Sequence, residues 1–78
     1  MSQRRKSIAQ LQNEQVATGL RIQELNNWFQ MYNTGRLSGN PKTLQKRARE
    51  YDGEIRKLQN KMQRVNMEYE RTLREQVY

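Results

Sequence analysis

A run of apolar residues in the second half of this chain constrains its fold more than any other feature. Leu44, Ala48, Tyr51, Ile55, Leu58, Met62, Val65 and Tyr69 are separated by alternating steps of four and three, the 3.5-residue repeat of a helix that lies along another helix. At 1.5 Å per residue the seam from Leu44 to Tyr69 is roughly 38 Å long, which is long for a globular helix and ordinary for a coiled coil. A helix with such a stripe is stable only when something packs against it.

The first half of the chain supplies the partner. Ile8, Leu11, Gln15, Thr18, Ile22, Leu25, Phe29 and Tyr32 repeat the same rhythm, with Trp28 on the flank. The seam is polar in its middle, at Gln15 and Thr18, which weakens the pairing there and is a known way to fix register. Ser7 and Gln10 form the S-x-x-Q pattern of a capping box, so a first helix is predicted over residues 7–34. Residues 35–40 read as a loop. Gly35 suits a left-handed helix cap, and Asn40 before Pro41 suits an N-cap followed by the first position of a second helix over residues 41–78.

A connector this short places the two helices antiparallel. Folding about it sets Tyr32 against Leu44, Trp28 and Phe29 against Ala48, Leu25 against Tyr51, Ile22 against Ile55, Leu11 against Val65 and Ile8 against Tyr69. The bulkiest pair thereby falls opposite the smallest seam residue, as close packing requires. The rival arrangement, two long helices in parallel within an obligate dimer, needs an extended loop. The expected fold is all-α, an antiparallel two-helix coiled-coil hairpin completed by oligomerisation or by docking to a partner. Charge pairs at i and i+4, namely Lys46–Glu50, Asp52–Arg56, Arg64–Glu68, Glu70–Arg74 and Arg71–Glu75, support the second helix across Gly53.

Composition limits the chemistry. A chain of 78 residues rarely builds a self-sufficient core without disulfides, metal or a partner. With no Cys and no His, disulfides, thiol nucleophiles, the common zinc sites and the usual neutral-pH general base are all unavailable. Enzymatic activity, a cofactor, a metal site and a small-molecule substrate are therefore not expected. The sequence offers neither an 18-residue apolar run nor a basic start leading into an apolar segment, so membrane association and secretion are not expected. An intracellular location, or a place within an assembled viral particle, follows from that reading.

Fifteen Lys and Arg against eight Asp and Glu give a net charge of +7, which favours an anionic partner. On a helical projection Lys42, Lys46, Arg49, Arg56, Arg64, Arg71 and Arg74 cluster opposite the second seam, with the acidic residues to either side. Such a strip is about 48 Å long and has the character of a surface that tracks a phosphate backbone. It is densest near the hairpin tip, where Arg47 joins Lys42, Lys46 and Arg49. Arg4, Arg5 and Lys6 form a basic arm over residues 1–6. Their charge opposes the dipole of the helix they precede, so the arm is expected either to hang in solvent or to meet an anion. On the first helix Ala9, Val16, Leu20 and Met31 form a second apolar stripe away from the seam, and with Trp28 they are candidates for a protein contact or self-association.

Phe29-Gln30, Thr34-Gly35-Arg36-Leu37, Asn40-Pro41 and the basic run from Leu44 to Leu58 resemble the loop and second helix of the ribosomal large-subunit protein twenty-nine family. That family is a two-helix hairpin that binds ribosomal RNA near the exit tunnel. The likeness covers about thirty residues and implies that Lys42, Lys46, Arg47 and Arg49 face RNA. The chain departs from it by single-residue insertions in the loop, by the continuation to Tyr78 and by its Gln- and Asn-rich first helix. Two functional expectations follow. One is a structural component of a nucleoprotein assembly, meeting protein through the first helix and phosphate through the second. The other is a small regulatory or adaptor protein that binds one protein target through a helical-bundle contact.

Overall fold

The computed structural model describes residues 6–77 and consists of two helices, α1 (Ile8–Asn33) and α2 (Pro41–Val77), packed antiparallel into a rod of 55 × 24 × 14 Å. Arg4 and Arg5 of the basic arm, and Tyr78, lie outside the described residues.

The helix ends follow from local chemistry. Ser7 caps α1 through a complete capping box: its Oγ accepts from the Gln10 backbone N–H at 3.1 Å, and the Gln10 side chain accepts from the Ser7 backbone N–H at 2.9 Å. At the other end the Gly35 N–H donates to the Tyr32 carbonyl and the Arg36 N–H to the Met31 carbonyl. This pair of bonds is the Schellman closure. It requires Gly35 at φ +70°, in the left-handed region that a residue with a Cβ enters at a cost. The Thr34 hydroxyl adds a bond to the Gln30 carbonyl at 2.8 Å. The Asn40 side chain then caps α2, accepting from the Lys42 N–H at 2.9 Å, with Pro41 in the first turn where its missing N–H is not needed.

All sixteen seam residues read from the sequence, eight on each helix, are buried or half-buried. The fully buried set is thin: Leu11 and Leu25 are 1% exposed, Val65 5% and Thr18 4%. A pair of rods has only one contact line, and most seam residues keep an edge in water.

The cross-helix contacts fall on both sides of the expected pairing. On one flank Arg21 reaches Glu54. On the other, Gln15 Nε2 donates to Asn66 Oδ1 at 2.8 Å, and the Met62 methyl lies 3.5 Å from where a Cβ on Gly19 would stand. Diagonals of opposite sense on the two flanks are what antiparallel rods produce. The centre of the pairing lies slightly further along α2 than the sequence suggested. Trp28, expected over Ala48, instead sets its ring edge-on to Tyr51 with centroids 4.9 Å apart. It also stacks on Tyr32 at 5.2 Å and meets Phe29 edge-on at 5.0 Å. Aromatic rings prefer such edge-on and stacked geometries, and this four-ring cluster closes the loop end of the rod. α2 is longer than α1 and runs past its start, which leaves Leu73, on the seam side, 39% exposed.

Candidate functional site

The basic strip is a consequence of how α2 is held. With its seam committed to α1, the opposite face points to solvent, and Lys42, Lys46, Arg49, Arg56, Arg64, Arg71 and Arg74 are all exposed there. Two of the spaced charge pairs close within the helix, Arg56 with Asp52 at 3.2 Å and Arg74 with Glu70 at 3.6 Å. Lys42, Lys46, Arg49 and Arg64 make no ion pair with another described residue.

Arg47 is exposed too, but at 100° per residue it projects onto the flank of α2 near the seam, out of line with the strip. Lys57 and Lys61, which the sequence reading passed over, are exposed on the strip's shoulder. With Arg56 and Arg64 they give a stretch of α2 from Ile55 to Met67 that holds four cations and no acid. They project to one side of the line opposite the seam. The signal available in the sequence was that absence of acid between Glu54 and Glu68. The strip thus has two acid-free blocks, one at the hairpin tip and one at mid-helix, separated by Glu50, Asp52 and Glu54.

Glu54 itself is drawn inward. Its carboxylate accepts from Arg21 Nε at 2.7 Å and from a terminal guanidinium nitrogen at 3.2 Å, a two-pronged pair across the helices. The Arg21 guanidinium also lies 5.9 Å from the Tyr51 ring centroid and bonds Glu24 at 3.3 Å. The hydrogen bond from Arg21 holds the Glu54 carboxyl below its ordinary value, and the Arg21 guanidinium is correspondingly raised. This pair clamps α1 to α2 and removes one negative charge from the neighbourhood of the strip.

Lys6, the described member of the basic arm, meets an anion within its own chain. Its ammonium bonds Glu14 of α1 at 2.8 Å, which raises its pKa. Glu14, on the second turn of α1, thus offsets the Lys6 charge.

The second candidate surface is the outer face of α1. Ala9, Val16, Leu20 and Met31 are all exposed, Val16 at 61% and Leu20 at 55%. Trp28, grouped with them from sequence, is half-buried in the four-ring cluster and serves the hairpin's own packing. Gln12 and Gln15 spend their amides on α2, at Tyr69 and Asn66. An open groove beside the loop is lined by Asn27, Gln30, Met31, Thr34 and Arg36. None of the described helices is long and apolar enough to cross a membrane. Compared with protein-family models, with curated proteins and with solved structures, the chain finds no match.

Proposed function

We propose that this chain is a non-enzymatic structural component of a nucleoprotein assembly, a ribosome-like or viral particle, in which the outer face of α1 meets protein and the basic strip of α2 lies along a phosphate backbone. One observation carries the reading. Seven of the ten cations of α2 share one exposed face of a long rod, with acids to the sides and the opposite face taken up by α1. Solvated faces of coiled coils ordinarily mix both signs, and segregation of this kind concentrates positive potential where a polyanion can follow it. The likeness of the loop and second helix to the ribosomal large-subunit protein twenty-nine family supports RNA as the polyanion and the hairpin tip as its point of contact.

Phosphate binding of this kind releases counterions, so affinity must fall with salt. A strip that contacts six phosphates loses about a thousandfold in affinity between 50 and 200 mM salt. Removing single cations by Arg49→Gln, Arg56→Gln or Arg64→Gln should weaken binding and flatten the slope of log K against log salt by about one each. Fluorescence anisotropy with labelled RNA and DNA duplexes and single strands reads both quantities. Affinity that ignores salt, or no affinity for any of these probes, rejects the reading. The adaptor alternative, in which Leu20 and Met31 anchor a single protein target, would then take its place.

A further inference from the structure

The outer face of α1 is complementary to itself when turned end for end, and the geometry points to a second copy of this chain as its occupant. The inference deepens the reading of that face as a protein contact and is independent of what the basic strip binds.

Leu20 is the centre of the argument. Asn13 and Asn27 stand equally far from it along α1, and Ala9 and Met31 also stand equally far from it. All of these project onto the side away from the seam, and all are exposed. If two α1 helices lie antiparallel about a two-fold axis through Leu20, Leu20 meets its own copy. Asn13 then faces Asn27 of the partner, where two amides can exchange donor and acceptor. Ala9 receives Met31, small against large. Val16 falls opposite Gln23 and Glu24, whose methylene stems can cover it while the Glu24 carboxylate stays on Arg21. The two-fold is isologous and closes at two copies.

Charge favours the same face and the same direction. α1 contains only three charged residues, Glu14, Arg21 and Glu24, in a chain of net charge +7. Its outer face is therefore where a second strongly basic chain can approach with least repulsion. Parallel pairing would stack the two hairpin tips, each carrying Arg36, Lys42, Lys46, Arg47 and Arg49, at one end. Antiparallel pairing separates them by the length of the helix and, among the described residues, sets beside each tip only the partner's Lys6, whose charge Glu14 offsets. A standard interface removes about 800 Å² from each partner, and the exposed face from Ala9 to Met31, about 33 Å long at 1.5 Å per residue, has the length to supply it while leaving the strip open.

The chain has no cysteine, so engineered cross-links are unambiguous. Sedimentation of the full chain in high salt without nucleic acid should give a dimer whose mass falls to that of a monomer in Leu20→Asp, with helicity retained by circular dichroism. Asn13→Cys mixed with Asn27→Cys should cross-link to each other under oxidation, and neither should cross-link to itself. A monomer at every concentration, or a dimer indifferent to Leu20→Asp, overturns the proposal. Cross-linking of Asn13→Cys to itself overturns it in favour of parallel pairing. Should Leu20→Asp unfold, Val16→Glu with the same cross-linking pair decides the question. Since nucleic acid is absent throughout, failure here leaves the salt-dependence test of the strip untouched.

Discussion

Arg21 and Glu54 form a two-pronged ion pair between the two helices, and its pH behaviour can be stated in advance. Glu54 is held ionised below its ordinary value of 4.5 by the guanidinium, so the stability it contributes is present above that value and is lost as pH falls through the lowered native one. Glu54→Gln should therefore be less stable than wild type near neutrality, and the gap in thermal midpoint should narrow as the solution is acidified below 4.5. Thermal melts followed by circular dichroism across that window check it, and a gap that does not change with pH would mean the pair holds by packing alone. This contact was not legible in the sequence. Arg21 and Glu54 are far apart along the chain, and only the register of the two rods brings them within 2.7 Å. The reverse holds for Leu11, Leu25 and Val65, whose burial follows from periodicity because a seam residue has nowhere else to point.

At the level of elements, the caps carry the chain reversal, and the glycines separate two kinds of effect. Gly35 sits at φ +70° with open space around a would-be Cβ, so Gly35→Ala introduces backbone strain and no clash. It should destabilise the hairpin by about 1 kcal/mol, near the low end of the left-handed penalty, and lower Tm by about 4–8 °C. Gly53 lies within α2, also with nothing within 4 Å of a would-be Cβ. Gly53→Ala should raise stability by about 1 kcal/mol through helix propensity. Urea titrations of the two variants give both signs in one experiment. Helix bounds, capping box, glycine cap and Asn40–Pro41 start were legible because each is a short-range pattern with one favourable geometry. The Trp28 cluster was not, since a rule that sets large side chains over small ones carries no term for rings preferring rings. For Lys6 the helix dipole argues for solvent or an anion, and the anion it meets is Glu14, two turns along α1.

For the molecule as a whole, the two surfaces lie at opposite edges of the same pair of rods, and that placement has a consequence if both are used. An antiparallel pair of α1 helices at the centre would carry one α2 on each outside, four helices side by side. At 8–10 Å between neighbouring axes, the outer axes stand about 24–30 Å apart, with their basic strips facing away from each other. Such a dimer cannot wrap one duplex with both strips, because they point in opposite directions. It is built to hold two polyanion segments against one another, as packing of a long nucleic acid requires. The wild-type chain should therefore bring a biotinylated duplex and a second, fluorescent duplex down together on streptavidin beads at low salt, whereas Leu20→Asp carries one duplex and leaves the fluorescent one in solution. Co-capture should also vanish at very high protein excess, when each duplex is coated by its own dimers and no strip is left to share. Persistent co-capture by Leu20→Asp would place the bridging elsewhere, in simple charge neutralisation along α2. That outcome would separate the strip's affinity from the architecture argued for α1.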